Sequence, residues 1–248
     1  MMGGLHMIKN DNEFGTHVYG DKIGKTWISL VDAIVNFGTE SYDESRQRLA
    51  LQNVRVKAQS IDLPDENIER YADKASIEAI IKLTFSEPKM YDIDVVPSFS
   101  PGAKSYYERI REGHLLDFVI SRLNLIPESK KAAIVFPTYE DYRAVLKNPW
   151  DDYLPCIVTV QFRLVECDSE YRLDTTFYAR SIDAFQKANG NLVAMAMMSA
   201  FVADRLNLNK PVRTGFLDGL IADAHIYQES LLKAKNLITE VNKDRINI

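Results

Sequence analysis

Residues 154–164 read LPCIVTVQFRL. Apolar and polar side chains alternate along this stretch, which is the pattern of a half-buried strand. Its second and third residues are Pro155 and Cys156, and the chain has only two cysteines, Cys156 and Cys167. A cysteine placed directly after a proline has two readings. It is a small apolar filler of a sheet, or it is a nucleophile held on a rigid strand. The residues around it decide between them.

Working outward, residues 171–181 form the next strand, so LPCIVTVQFRL opens a hairpin. AAIVF (132–136) is a further short strand, LALQNVRVKA (49–58) alternates in the same way, and residues 216–226 complete the set. Helical spacing appears in Trp27, Leu30, Val31, Ile34 and Val35, with Gly38 as a stop signal. A second helix is expected to start near Pro64 and run through LPDENIERYADKASIEAIIKL, with Asp65 and Glu66 suited to its N-terminus. A third covers about 106–125, and two more cover 191–206 and 227–242. Residues 139–150 read as helical or irregular. Between the second and third helices, SEPKMYDIDVVPSFSPG is a long proline-rich loop, and loops of that length are often functional. Strands joined partly by hairpins and partly by helices predict an α/β (α+β) fold, a single domain with a mixed sheet flanked by helices. We expect residues 1–25 to be a polar arm and residues 26–248 to be that domain.

The 248 residues are 46% hydrophobic and 26% charged, with a net charge of −5. This is an ordinary globular composition with a sizeable core, and it is not basic enough for nucleic acid to be the main partner. Two cysteines are too few for a disulfide framework and point to a reducing compartment. The opening MMGGLHMIKNDNEF lacks the features of a signal peptide. The longest apolar run, LVAMAMMSAFVA (192–203), is too short to span a bilayer and reads as a buried helix. A cytoplasmic protein without a membrane or metal partner is the expectation.

Polar residues gather where the sheet is expected to close. Gln161 lies five steps after Cys156, hence on the opposite face of the strand unless a bulge intervenes. The next strand ends in YARSID, giving Arg180, Ser181 and Asp183. Asn191 follows where the apolar helix begins, and ADAHIY puts Asp223, His225 and Tyr227 on one strand face. Each has a plain structural reading: Arg180 as a surface ion-pair partner, His225 as a satisfied core histidine, Asn191 as a helix N-cap.

Taken together, PC…QF, RSxD with an asparagine eleven steps after the arginine, and DxHxY resemble thymidylate synthase and the related pyrimidine nucleotide hydroxymethylases. The family pattern around the arginine is R-S-x-D-x-x-L-G-x-P-F-N. The interval from Cys156 to Arg180 is longer than usual, which a larger hairpin around 165–172 absorbs. Upstream, WISLVDAIVNFG, SYYERIRE and ISRLNLIPESKKAAIV are similar to the family's first helix, its Y-G-x-x-W/L-R segment and its L-x-x-x-P-x-S-R-R-x-I-x segment.

The resemblance implies a thymidylate synthase-like fold and a homodimer. It implies a pyrimidine nucleoside monophosphate as substrate and 5,10-methylenetetrahydrofolate as carbon donor. Cys156 is then the nucleophile that adds to C6 of the base, and Arg180 steadies its thiolate and meets the nucleotide phosphate in a bidentate way. Asn191 reads the N3–H and O4 of uracil, where cytosine-handling relatives carry aspartate. His225 and Tyr227 bind the sugar hydroxyl. Ser181 lies near the phosphate, Asp183 near base and folate, and Gln161 supports the site. Lys130 and Lys131 stand where the partner subunit's arginine pair completes the phosphate pocket, with charge kept but the fork lost. Arg46 or Arg48 corresponds to an N-terminal phosphate arginine, and Glu78 in IEAII to the catalytic glutamate.

Several features depart from the pattern. Ile157 replaces the histidine after the cysteine. The tryptophan segment that holds the pterin is absent, its place falling at 95–101. The C-terminal cap is missing, although Ile248 could fold over a site. Three functions follow: folate-dependent C5 methylation of a uridylate, of the dUMP-to-dTMP type; C5-hydroxymethylation of a pyrimidine nucleotide; and a non-catalytic nucleotide-binding dimer.

Overall fold

The computed structural model of the chain describes residues 7–11, 15–43, 45–91, 103–147 and 153–246. Its centre is one mixed sheet in the order β1-β2-β4-β9-β7-β6-β5, with β3 paired to β4 and β8 to β9. The strands are β1 (Met7–Asp11), β2 (Gly15–Gly20), β3 (Thr39–Asp43), β4 (Arg46–Ala58), β5 (Ala133–Val135), β6 (Ile157–Glu166), β7 (Tyr171–Ala179), β8 (Ile182–Asp183) and β9 (Val212–Tyr227). The helices are α1 (Ile23–Phe37), α2 (Glu66–Tyr71), α3 (Lys74–Phe85), α4 (Tyr106–Glu112), α5 (Leu115–Leu125), α6 (Tyr139–Lys147), α7 (Ala188–Arg205) and α8 (Gln228–Ile246). The fold class is the expected α/β one.

One face of the sheet carries the core. Trp27, Leu30, Val31 and Ile34 of α1 are buried together with Val54 and Val56 of β4 and Ile221 of β9. The apolar run at 192–203 is the buried body of α7, in the same cluster as Phe162, Leu173 and Phe177 of the central strands. A hydroxyl pair, Thr175 Oγ1 to Ser199 Oγ at 2.7 Å, ties β7 to α7 within that apolar layer. The indole N–H of Trp27 donates to the carbonyl of Ala184 at 2.9 Å, anchoring the turn between β8 and α7 on α1.

Three expectations are corrected. Residues 7–20 are not a separate arm, because β1 pairs antiparallel with β2 and β2 pairs parallel with β4. The helix expected from Pro64 is two helices. Asp73 accepts from the Ala75 N–H at 3.0 Å and restarts the chain as α3, while α2 closes with the Ala72 N–H on the Ile68 carbonyl. The helix expected over 106–125 is also two, broken where Gly113 ends α4 and His114 takes a left-handed conformation with φ 47°. In both cases a local polar cap or turn overrides the apolar periodicity that runs across the break. The proline-rich 92–102 segment and residues 148–152 lie outside the described residues, as does Ile248.

Asp65 shows how a short polar residue sets this geometry. It is 1% exposed. Its Oδ1 accepts from the N–H groups of Asn67 and Ile68, capping α2, and its Oδ2 accepts from the Gly24 N–H in the first turn of α1. One carboxylate therefore satisfies orphan donors of two helices. Asp65→Ala strands buried N–H groups, and we expect a loss of about 2–4 kcal/mol in urea unfolding. A change under about 0.5 kcal/mol would show that water replaces the cap.

Candidate active site

The β6–β7 hairpin carries the first functional group. Ile157 pairs with Ala179, and one step beyond the ladder the Arg180 N–H donates to the Cys156 carbonyl at 2.9 Å. The guanidinium then folds back over the same segment. Its Nε donates to the Pro155 carbonyl at 3.3 Å and its Nη2 to the Leu154 carbonyl at 2.7 Å. From the other side, the Ile157 N–H donates to the Tyr106 hydroxyl oxygen at 2.9 Å. Leu154, Pro155, Cys156 and Ile157 are thus clamped by Arg180 and by α4. Cys156 is a free, partly exposed thiol at the bend before β6. Cys167, at the far end of the hairpin, sits 3.8 Å from the Val165 carbonyl.

Cys156 lines a narrow cleft. The polar groups around it are Tyr106, Tyr153, Lys187 and Asn191, and Ile80 and Leu83 of α3 form an apolar wall. Helix α7 begins at Ala188, three residues earlier than expected, with Lys187 at the N-cap position. Asn191 is therefore a residue of the first turn rather than the N-cap, its N–H bonded to the Lys187 carbonyl at 2.9 Å. That position aims its side chain into the cleft, where no described residue hydrogen-bonds the amide. Burial pushes the Tyr106 and Tyr153 hydroxyls up, with the neighbouring Cys156 adding to it, so both stay protonated at neutral pH.

A second polar cluster lies on β9 and joins the first through the Arg180–Ser181 backbone. His225 Nδ1 is 3.0 Å from Asp223 Oδ1 and 3.4 Å from the Ser181 hydroxyl. Arg48 forks onto Asp223 at 2.6 and 3.0 Å. Burial alone would raise the Asp223 carboxyl, but the hydrogen bonds from His225 and Arg48 outweigh it and hold it below the usual carboxylate range. The Tyr227 hydroxyl donates to Asp43 Oδ2 at 2.6 Å, with its ring edge-on to His225. Burial, reinforced by Asp43, pushes that phenol up. Arg48, not Arg46, belongs to this cluster. Arg46 opens β4 opposite Asp43.

The other expected residues are placed elsewhere or spent structurally. Glu78 lies on the outer face of α3, paired at 2.8 Å with Lys82, its side chain 67% exposed. The helix gives Ile80 and Leu83 to the cleft instead, because a residue two positions from Ile80 faces away. Gln161 is on the exposed sheet face, donating to the Lys130 carbonyl at 3.0 Å. It braces that turn and does not reach the cleft, even though the register shifts between Ile157 and Thr159. Lys130 and Lys131 are exposed in the turn before β5. Asp183 is 4% exposed and fully engaged: it accepts from the Phe185 and Gln186 N–H groups and from the Gln186 amide. Tyr106, Tyr153 and Lys187 are cleft residues that spacing did not single out. Tyr106 lay in the SYYERIRE segment, and Lys187 occupies the glycine position of the RSxD…N motif.

That motif is where a folate would be expected to rest, and the residues present do not fit one. Leucine, glycine, proline and phenylalanine are replaced by Gln186, Lys187, Asn189 and Gly190. A Cβ on Gly190 would stand 2.4 Å from Ile80 Cδ1, so α3 packs directly on α7 where the pattern has an aromatic ring. Among the described residues no group of three or more His, Cys, Asp or Glu could hold a metal, and no helix is long and apolar enough to cross a membrane.

The Asp223 geometry yields a pH prediction. A carboxyl held below its unfolded value contributes stability above about pH 4 and loses it as the pH falls through the folded pKa. Asp223→Asn is expected to cost about 1–3 kcal/mol at pH 7 and little at pH 3, flattening the acid limb of urea midpoint against pH. Parallel curves for the two proteins would contradict this.

No curated protein sequence matches the chain. Residues 104–248, more than half of it, match the family model for thymidylate synthase. They span the β6–β7 hairpin, the RSID turn, α7 and the DAHIY end of β9, so the match takes in Cys156, Arg180, Asn191 and His225 while α3, Asp43 and Arg48 lie before it, and the chain belongs to the thymidylate synthase family.

Proposed function

We propose that this protein modifies C5 of a uridylate nucleotide with a one-carbon unit, of the dUMP-to-dTMP type, after the Cys156 thiolate adds to C6. The observation that carries this is the shared cleft of Cys156 and Asn191. One group is a nucleophile on a clamped bend. The other is an amide with donor and acceptor both available to the N3–H and O4 of uracil. Addition of sulfur to C6 makes C5 a carbon nucleophile, dividing one hard substitution into easier steps. The protonated hydroxyls of Tyr106 and Tyr153 are donors in the same cleft.

In this reading Arg180 has two tasks. Its two main-chain bonds hold the Cys156 segment, and the rest of its exposed guanidinium meets the phosphate. Tyr227, whose hydroxyl donates its hydrogen bond to Asp43, keeps its oxygen lone pairs to accept from a sugar hydroxyl beside His225. The proposed homodimer uses the open sheet face, where Tyr178 and Leu220 are cross-strand neighbours and 36% and 41% exposed. The Lys130 carbonyl is bonded to Gln161 on that face, which supports Lys130 and Lys131 reaching a partner's phosphate pocket. Since the folate positions do not fit, no step is drawn through that cofactor. The same departure favours hydroxymethyl as a second product, because a loosely covered intermediate is open to water.

The test uses dUMP, UMP, dCMP and CMP carrying tritium at C5, each with and without methylenetetrahydrofolate. Tritium release from a uridylate is expected, and product mass distinguishes methyl from hydroxymethyl. Release is expected to fall at least about 10³-fold in Cys156→Ser with nucleotide affinity retained. No release from any substrate by the folded protein would leave only nucleotide binding. For Asn191→Asp, preference is expected to move toward the cytidylate by about tenfold or more. An unchanged preference would show that Asn191 does not read the base.

A further inference from the structure

Two carboxylates stand behind the pair of side chains assigned to the sugar. His225 and Tyr227 close β9 and are 5% and 6% exposed. Their ring centroids are 4.9 Å apart in an edge-on arrangement. Strand β4 lies against this end of β9, with Arg48 opposite Tyr227 and Gln52 opposite Asp223. Strand β3 lies against β4 in turn, with Asp43 opposite Arg46. The sheet therefore brings one acid from β9 itself and a second from β3 to the same two side chains.

Each acid engages a hydrogen. The Tyr227 hydroxyl donates to Asp43 Oδ2 at 2.6 Å, and His225 Nδ1 is 3.0 Å from Asp223 Oδ1. An ionised carboxylate has no hydrogen to give, so the second contact requires the imidazole hydrogen to sit on Nδ1. The Ser181 hydroxyl, 3.4 Å from the same nitrogen, is the weaker partner. Arg48 gives both terminal nitrogens to Asp223, at 2.6 and 3.0 Å, and so keeps that carboxylate ionised and in place. A neutral imidazole with its hydrogen on Nδ1 has only a lone pair on Nε2. No described residue hydrogen-bonds Nε2. The Tyr227 oxygen, its hydrogen held in a charge-assisted bond, likewise offers only lone pairs. The two groups are thus neighbouring acceptors with no hydrogen left to donate.

A hydroxyl has one hydrogen and donates one hydrogen bond. The single 3′-hydroxyl of a deoxyribose satisfies one of two such acceptors. A ribose carries a second hydroxyl on the adjacent carbon and satisfies both.

We propose that this end of β9 selects ribose, so that the nucleotide is UMP rather than dUMP, with Asp43 and Asp223 as positioning residues that make acceptors of Tyr227 and His225. This rests on the reading of the site as one for a uridylate; it keeps the one-carbon chemistry and fixes the sugar. The discrimination arises because an acceptor buried without a donor costs more than a missing favourable contact, and sites built to pair a substrate hydroxyl reject the analogue that lacks it.

The experiment measures dissociation constants of UMP, dUMP and 3′-deoxy-UMP by titration calorimetry at pH 8, above the ordinary range of imidazole protonation. UMP is expected to bind at least about tenfold tighter than either deoxy analogue. In Asp43→Ala the Tyr227 hydroxyl is released to donate to the 3′ oxygen, and the UMP preference over dUMP is expected to fall at least about threefold. Tyr227→Phe removes one acceptor and is expected to lower the preference by a similar factor, with urea midpoints establishing that both variants are folded. Equal affinities in the wild type, or tighter dUMP, overturn the proposal and leave the uridylate reading standing. A wild-type preference that either folded variant keeps in full overturns the assignment to these residues. Binding of none of the three nucleotides overturns the uridylate reading itself, and the proposal with it.

Discussion

One backbone hydrogen bond, from the Arg180 N–H to the Cys156 carbonyl, sets the geometry on which the site depends. It is the continuation of the β6–β7 ladder past its last paired residues. A cysteine before one strand and an arginine after the next are brought together whatever the length of the turn between them. The arginine side chain then secures what the ladder began, by bonding the two carbonyls before the thiol. A bend that would otherwise fray is held from both sides, since Tyr106 takes the Ile157 N–H. The segment that carries the sulfur is fixed by α4 from one side and from the other by the hairpin with the RSID turn that follows it.

The remainder of the fold positions the second half of the cleft. Helix α7 is buried through most of its length and bound to β7 by the Thr175–Ser199 pair, so its first turn cannot drift. Trp27 fixes the turn before it. Asn191 and Lys187 are therefore presented by a rigid element, the kind of support that keeps a functional group within a fraction of an ångström of its place. On the other side, Gly190 lets α3 approach so closely that Ile80 becomes part of the wall.

The hairpin, the buried helix and the DxHxY strand were legible in the sequence because each has a strong period and a distinctive polar ending. The breaks inside the predicted helices at Ala72 and Gly113 were not, since apolar spacing continues across them and only the Asp73 cap and the His114 conformation reveal the stop. The site was half legible. Cys156, Asn191, Arg180, His225 and Tyr227 stood in motifs, and the structure gathers them into two linked clusters. Glu78 did not come in, because one residue's rotation on α3 decides between cleft and solvent and the motif there was too degenerate to fix it. Lys187 was passed over for the opposite reason. It occupies a motif position as an exception, and only its burial marks it as part of the cleft.

The central claim is that one sulfur and one nucleotide share a cavity, and protection from alkylation tests this most directly. With saturating dUMP or UMP present, iodoacetamide labelling is compared at Cys156 and Cys167 by peptide mass. The account predicts that nucleotide slows labelling of Cys156 at least tenfold and leaves Cys167 as it was. Equal labelling of Cys156 with and without bound nucleotide would contradict it.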